Sequence, residues 1–163
     1  MKVVVQIDGL SGTGKSSLAA EFSDRGYCAV DADAEFAYFG DPATGRPTDL
    51  LTRDHWIWNL ARIRSFCEAS RKSPIFICGG ALNQGQCADL FTHRFMLRVD
   101  DETMRHRLVA RTSNDLGKGS RELAEQLELN GRASSAAHRT SWTVVDATRP
   151  PIDVADVILN SIH

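Results

Sequence analysis

A short segment near the N-terminus has the pattern G-x-x-x-x-G-K-S, which in proteins cradles the phosphate groups of a nucleotide. It runs from Gly9 to Ser16 as Gly-Leu-Ser-Gly-Thr-Gly-Lys-Ser, and every fixed position of the pattern is occupied. Glycines let backbone N–H groups turn toward one anion, and a helix beginning near Lys15 directs its positive end at the same point. We therefore expect Lys15 to contact the β- and γ-phosphates of ATP and the Ser16 hydroxyl to bind Mg²⁺.

The context of this loop supports the interpretation. A chance glycine-rich turn is the alternative, but the segment directly follows a buried-strand pattern and directly precedes a helical one, as a phosphate-binding loop requires. The nucleotide-binding residues predicted in the loop are Gly9, Ser11, Gly12, Thr13, Gly14, Lys15, Ser16 and Ser17.

Two aspartates one residue apart come at the end of the second predicted strand. Asp31 is predicted to help hold Mg²⁺ through water, and Asp33 to accept a proton from the acceptor hydroxyl or to orient it. A solvated pair that caps a helix at Ala34 is the alternative. The third predicted strand ends in Cys78-Gly79-Gly80 and offers no metal-binding acid, and the Asn-Lys-x-Asp motif of GTPases is absent from the sequence.

A helix predicted over residues 101–111 carries two arginines that face the strand ends. Met104 and Leu108 lie four positions apart and are expected to face the core, whereas Arg107 and Arg111 share another face. An arginine there can stack on a base or neutralise the charge of a transferred phosphoryl group, and an ordinary solvated helix face is the alternative.

These residues need a scaffold that brings strand ends together, and the apolar pattern predicts one. Short apolar runs at residues 3–7, 27–30, 74–78, 95–99 and 142–145 alternate with helical segments. We expect an α/β three-layer sandwich with a five-stranded parallel sheet in the order 2-3-1-4-5, of the P-loop NTPase type. In such sheets the ligand binds beyond the carboxyl ends of the strands.

The acceptor of the phosphoryl group is expected to bind under residues 35–72. A long helix is predicted over residues 53–71, with Trp58 and Arg62 one turn apart and with Arg53 and Arg64 adding positive charge. A tryptophan beside arginines can stack on a planar acceptor and hold its phosphate. The alternative is that Trp58 packs under the loop at residues 41–49 and that the arginines are solvated.

Two segments resemble the adenylate kinases. Residues 97–111 resemble the strand and helix that precede the lid of that family, and residues 145–150 are similar to the C-terminal segment whose backbone contacts adenine. The resemblance implies that Arg111 lies against the adenine and that residues 112–120 form a short lid. It also implies a base pocket lined by Thr148, Arg149 and Pro150.

Two other segments are more similar to the shikimate kinases. Residues 30–33 read Val-Asp-Ala-Asp and residues 78–80 read Cys-Gly-Gly. In that group the second acid binds the acceptor hydroxyl and the glycine run contacts the acceptor, which implies substrate-binding roles for Asp33, Gly79 and Gly80. Residues 40–72 match neither group, so the acceptor stays open.

Composition excludes several classes of protein. The 163 residues correspond to about one domain, and 19 Lys+Arg against 21 Asp+Glu give a net charge of −2, which argues against a nucleic-acid partner. No apolar run approaches the ~20 residues that span a bilayer, and no signal-peptide pattern or Cys-x-x-Cys pair occurs. We expect a cytoplasmic monomer or homodimer with reduced thiols.

The predicted function is transfer of the γ-phosphoryl group of ATP, with Mg²⁺, to a nucleotide-, nucleoside- or shikimate-like small molecule. The predicted catalytic residues are Lys15, Asp33 and Arg111, and the predicted substrate-binding residues are Asp33, Trp58, Arg62, Arg64, Gly79 and Gly80. An ATP-binding regulatory module without phosphoryl transfer and a kinase of RNA or DNA 5′-ends are the alternatives.

Overall fold

The computed structural model describes residues 1–111, 120–137 and 141–163. Within them the chain forms β1 (Val4–Gly9), α1 (Lys15–Asp24), β2 (Cys28–Asp31), α2 (Ala32–Glu35), β3 (Ala37–Phe39), β4 (Trp56–Trp58), α3 (Leu60–Ala69), β5 (Ile75–Cys78), β6 (His93–Arg98), α4 (Asp101–Ala110), α5 (Ser120–Ala137), β7 (Thr143–Asp146) and α6 (Pro151–Ser161). Short 3₁₀ turns at Arg53–His55 and Gln84–Leu90 precede β4 and β6.

Five strands form one parallel sheet in the order β2-β5-β1-β6-β7. The central strand β1 pairs with β5 on one side and β6 on the other, and every pair in the sheet is parallel. The predicted five-stranded parallel sheet is confirmed. Its strand numbers differ from the predicted 2-3-1-4-5 because β3 and β4, which the sequence pattern did not predict, form a separate antiparallel pair.

Apolar side chains cover both faces of the sheet because successive residues of a buried strand point to opposite sides. Val5 and Ile7 of β1 belong to a cluster with residues of α1, α4 and α6, and Val4 belongs to a second cluster with residues of α3. Met104 and Leu108 of α4, which were predicted to face the core, are buried there, as are Leu18, Ala19 and Phe22 of α1.

The long helix predicted over residues 53–71 is wrong. Residues Trp56–Trp58 form β4, which pairs with Ala37–Phe39, and α3 begins only at Leu60. The side chain of Asn59 accepts a hydrogen bond from Arg62 N and so caps the start of the helix. The alternation Trp-Ile-Trp suits a strand, whereas the prediction followed the helical spacing of the residues around it.

Helix α5 continues through Gly131 to Ala137, although an Asn-Gly pair such as Asn130-Gly131 is typical of the end of a helix. The side chain of Asn130 is buried and donates hydrogen bonds to the Val99 carbonyl and to the Asp101 carboxylate, each at 3.0 Å. Asn130 therefore anchors α5 against the start of α4 instead of ending the helix.

The remaining features are the state of the cysteines and the length of the helices. Cys28, Cys67, Cys78 and Cys87 are free thiols, and the last three are buried. Burial raises the pKa of the Cys67 thiol to about 11 and that of Cys78 still further. Among the described residues, none of the helices is both long enough and apolar enough to cross a membrane.

Candidate active site

A cleft of about 1320 Å³ opens beyond the carboxyl ends of the parallel strands. The phosphate loop, Gly9–Ser16 in the sequence, lies along its floor between the end of β1 and the start of α1. One half of the cleft extends toward α4 and the start of α6, and the other half extends toward the β3–β4 pair. We call these the nucleotide half and the acceptor half.

The phosphate loop has the backbone shape that its glycines permit. Gly12 and Gly14 have φ angles of 85° and 101°, in the left-handed region that residues with a Cβ rarely adopt. Thr13 closes the turn, because its hydroxyl and its backbone N–H both donate to the Leu10 carbonyl, at 2.7 and 3.2 Å. The ten-residue helix α1 then begins at Lys15, so its positive end faces the cleft.

The Lys15 ammonium group lies inside this loop. It donates hydrogen bonds to the carbonyl oxygens of Gly9 and Leu10. Its positive charge also lowers the pKa of two nearby carboxyl groups, those of Asp8 and Asp33, against a larger increase that burial causes. Lys15 is therefore placed between the phosphate loop and the two carboxylates of the cleft.

Ser16 and Asp31 form the pair predicted to hold Mg²⁺. The Ser16 hydroxyl donates to Asp31 Oδ2 at 2.6 Å, and Asp31 Oδ1 accepts from Ala34 N at 3.2 Å, which caps α2. In the described part of the chain, no cluster of three or more His, Cys, Asp or Glu side chains could hold a metal ion. Two protein oxygens still fit Mg²⁺, which usually keeps several waters and takes further ligands from the substrate phosphates.

Asp33 projects into the cleft from α2, with its carboxylate fixed by two donors. Trp58 Nε1 and Gly80 N each donate to Asp33 Oδ1 at 3.2 Å. Gly79 allows this approach, because its φ is 152° and a Cβ there would lie 2.7 Å from Asp33 Oδ1. Burial raises the pKa of Asp33, and the negative charge of Asp8 raises it further.

Asp8, the last side chain before the phosphate loop, also lines the cleft, and the sequence analysis missed it. Its Oδ1 accepts from Gly9 N at 2.7 Å and its Oδ2 from Gln84 Nε2 at 3.2 Å. Burial raises the pKa of this carboxyl group as well. The available signal was an acid at the end of an otherwise apolar strand, a position where burial is costly without a purpose.

Arg107 of α4 and Arg111, which follows the last residue of α4, line the nucleotide half. Arg107 donates to the carbonyls of Gly12 and Ala147, at 3.4 and 2.8 Å, and so connects the phosphate loop to the segment after β7. Arg111 donates to the Ser11 hydroxyl at 2.8 Å. Of the residues predicted for the base pocket, Arg149 lines the cleft, whereas Thr148 and Pro150 lie beside it.

The acceptor half has an apolar wall that sequence reasoning did not find. The rings of Phe39 and Trp56 pack edge to face with centroids 5.3 Å apart, and both line the cleft. Leu51 and Leu82 stand at its rim with 72% and 55% of their surface exposed. Arg53 also lines this half, as does Gln126, which is buried on α5.

Three predicted acceptor-binding residues do not reach the cleft directly. Trp58 is completely buried, so its rings cannot stack on an acceptor and it contacts the site only through its N–H. Arg62 pairs with Glu35 at 2.6 Å and Arg64 with Asp89 at 2.9 Å, both on the surface. The reason is that Trp58 lies on β4 instead of on a helix with the arginines. Gly80 lines the cleft, and Gly79 lies behind Asp33.

The lid predicted at residues 112–120 falls almost entirely outside the described residues. Residues 112–119 are not described, and α5 begins at the last position of the predicted lid. The lid therefore stays a prediction.

The sequence was compared with protein families and with curated proteins. A family model described as an AAA domain matches residues 5–128. No curated protein matches the sequence.

Solved structures of small-molecule kinases share the fold. A sugar kinase from Janibacter sp. matches with a TM-score of 0.63 at 22% identity, and the match covers 99% of this chain and 95% of the sugar kinase chain. Shikimate kinase from Bacteroides thetaiotaomicron also has a TM-score of 0.63, at 14% identity and 98% coverage of both chains. Deoxyadenosine kinase from M. mycoides, with bound dATP, matches with a TM-score of 0.59 at 19% identity, and the match covers 98% of this chain and 99% of the kinase chain. At these identities the likeness shows the fold alone.

Proposed function

The chain belongs to the AAA domain family, and from this premise we propose that it is an ATP-dependent phosphotransferase acting on a small-molecule acceptor. The observation that carries the proposal is the position of Asp33. Its carboxylate lies in the same cleft as Lys15 and Ser16 of the phosphate loop, at the boundary between the nucleotide half and the acceptor half. A module that only binds ATP has no need for a half-buried carboxylate at that boundary.

In the nucleotide half, the protein supplies position and positive charge. The backbone N–H groups of the phosphate loop and the N-terminus of α1 bind the β- and γ-phosphates, and the Lys15 ammonium group exchanges its two carbonyl partners for phosphate oxygens. Arg107 and Arg111, already bonded to the loop, add positive charge and border the nucleobase. Mg²⁺, when bound by Ser16 and by Asp31 through water, neutralises charge on the phosphates.

At the boundary, Asp33 acts as the proton acceptor. The acceptor hydroxyl gives its proton to Asp33 while its oxygen forms a bond to the γ-phosphorus, and the bond from that phosphorus to the oxygen of the leaving ADP breaks. Trp58 and Gly80 hold Asp33 Oδ1, which leaves Asp33 Oδ2 without a hydrogen bond from any described residue. That second oxygen is the one that faces the acceptor.

The test measures ADP formation with Mg·ATP against a panel of nucleosides, nucleotides and sugars. Asp33→Asn is expected to lower kcat by about 10²- to 10⁴-fold, because it removes the proton acceptor, while ATP binding measured by calorimetry is unchanged. Asp24→Asn is the matched control, since Asp24 is exposed at the end of α1, outside the cleft. Tight ATP binding without turnover on any acceptor, or full activity of Asp33→Asn, would contradict the proposal.

A further inference from the structure

Asp8 and Asp33 approach one glycine from two directions. Gly80 N donates to Asp33 Oδ1 at 3.2 Å, and a Cβ on Gly80 would lie 2.1 Å from Asp8 Oδ1. Any side chain at position 80 would therefore displace Asp8 or fill the space between the carboxylates. Both acids line the cleft, and the negative charge of Asp8 is close enough to raise the pKa of Asp33.

A chain of amide groups fixes the orientation of Asp8. Gln84 Oε1 accepts from Gln6 Nε2 at 2.8 Å and from Ala81 N at 3.3 Å, so its amide nitrogen must face Asp8. Gln6 is itself held by Arg94 Nε, which donates to Gln6 Oε1 at 3.1 Å. Each oxygen of Asp8 thus accepts one hydrogen bond from a described residue, and a carboxylate oxygen has about two acceptor positions.

The charges of the acceptor half disfavour a phosphate group as acceptor. A phosphate dianion beside two carboxylates is repelled by their charge, and in the proposed function Lys15 is already bound to the phosphates of ATP. Arg62 and Arg64 pair with Glu35 and Asp89 outside the cleft, so among the described residues Arg53 is the arginine that lines this half, against the two carboxylates of Asp8 and Asp33. A hydroxyl group, by contrast, donates a hydrogen bond to a carboxylate without bringing negative charge.

The acceptor half also has an apolar wall. Phe39 and Trp56 present ring surface to the cleft, and Leu51 and Leu82 extend the apolar surface at the rim. An acceptor that fills this space has a flat or apolar face on one side and hydroxyl groups on the other. Sugar rings and nucleosides share this chemistry.

We infer that Asp8 and Asp33 bind two hydroxyl groups of one polyhydroxylated acceptor, which is phosphorylated on an alcohol and not on an existing phosphate. This inference rests on the proposed function. Asp33 takes the proton of the reacting hydroxyl, and Asp8 accepts a hydrogen bond from a neighbouring hydroxyl that keeps its proton. Gln84 acts on the acceptor only through Asp8 and is a positioning residue.

The first experiment compares acceptors in matched pairs with the wild-type protein. Adenosine is paired with AMP and thymidine with dTMP, and D-ribose and D-glucose are added as free sugars; ADP formation is the readout. Turnover of nucleosides or sugars without turnover of the monophosphates supports the inference. Turnover of monophosphates alone overturns it and leaves the proposed function standing, whereas ADP formation with no acceptor at all contradicts the proposed function itself.

The second experiment removes the neighbouring hydroxyl and Asp8 in turn. Replacing one hydroxyl of an active acceptor by hydrogen is expected to lower kcat/KM by about 10- to 100-fold in the wild-type protein, the effect of losing a hydrogen bond to a charged group. The substitution Asp8→Asn is expected to lower kcat/KM for the intact acceptor by a similar factor. For the deoxy acceptor, the variant and the wild-type protein are expected to have the same kcat/KM.

A purely structural role for Asp8 predicts a different result. Asp8→Asn would then lower kcat/KM for intact and deoxy acceptors by the same factor, which overturns the inference. Calorimetry with Mg·ATP checks that the variant folds, and Asp24→Asn controls for the lost charge. If Asp8→Asn does not fold, the deoxy acceptors decide with the wild-type protein, because equal use of intact and deoxy acceptors also overturns the inference.

Discussion

Trp58 donates its indole N–H to Asp33 Oδ1 at 3.2 Å and connects the core under the β3–β4 pair to the cleft. Trp58 is completely buried, whereas Asp33 is partly exposed. One side chain therefore contributes to stability through its rings and to the site through a single N–H group.

Replacement of Trp58 is expected to affect stability and pH dependence together. Trp58→Phe removes the indole N–H and leaves a small cavity, so the free energy of unfolding should fall by about 1–3 kcal/mol in urea titrations. The lost hydrogen bond normally lowers the pKa of Asp33, so the acidic limb of the rate profile should move to higher pH. Phe22→Leu is the control, because Phe22 is equally buried, stacks on Phe76 and does not line the cleft. An unchanged rate profile would show that the hydrogen bond does not matter for Asp33.

The pH profile of kcat/KM should depend on Asp8. Asp33 must be ionised to accept a proton, so activity falls as the pH drops through its pKa, which burial raises above the ordinary value of about 3.9. Lys15 opposes this increase and the charge of Asp8 adds to it. Asp8→Asn removes the repulsion, lowers the pKa of Asp33 and should move the acidic limb to lower pH. A limb that stays in place, or moves to higher pH, would contradict the interaction between the two carboxyl groups.

Removal of the Lys15 ammonium group should weaken nucleotide binding selectively. Lys15→Ala is expected to raise the Kd for Mg·ATP by about 10- to 100-fold, since it removes a charge-assisted hydrogen bond to the phosphates. Isothermal titration calorimetry measures this directly. Lys72→Ala is the control: Lys72 donates to the Gly26 carbonyl at 2.8 Å and lies outside the cleft. Equal Kd values for all three proteins would refute a phosphate-binding role for the loop.

Asp31 offers a test of the metal site that spares the fold. Asp31→Asn keeps a good helix cap for Ala34 N but loses the negative charge beside Ser16. The Mg²⁺ concentration for half-maximal activity should therefore rise several-fold, while the free energy of unfolding stays within about 0.5 kcal/mol. Ser16→Ala should show the same metal dependence, and Ser161→Ala, on α6, should not. If Asp31→Asn reaches half-maximal activity at the same Mg²⁺ concentration as the wild type, Asp31 serves only as the helix cap.

Features that depend on neighbours in the sequence could be predicted. The glycines and Lys15 of the phosphate loop lie within one turn and a helix start, and their spacing alone specifies the backbone shape. Arg107 lies in the last turn of α4 and Arg111 directly follows the helix, so the spacing of four in the sequence was enough to place both near the loop, which both contact. The parallel sheet likewise follows from alternating apolar strands and helices.

Features that depend on distant residues could not be predicted. Phe39 and Trp56 become neighbours only through the pairing of β3 with β4, and the helical spacing after Arg53 concealed that pairing. The environment of Asp8 depends on Gln84, which lies in a 3₁₀ turn far along the chain. No local sequence pattern predicts that the amide of Gln84 donates a hydrogen bond to Asp8.

The separation of the β3–β4 pair from the five-stranded sheet has an evolutionary consequence. Its two strands pair with each other and not with the strands of the five-stranded sheet. Under the proposed function, substitution of Phe39 or Trp56 with Trp58 kept is expected to change which acceptors are used, while Asp33 keeps its hydrogen bond from Trp58 and the phosphate loop keeps its own contacts. Related chains could diverge in acceptor by such changes in this ribbon.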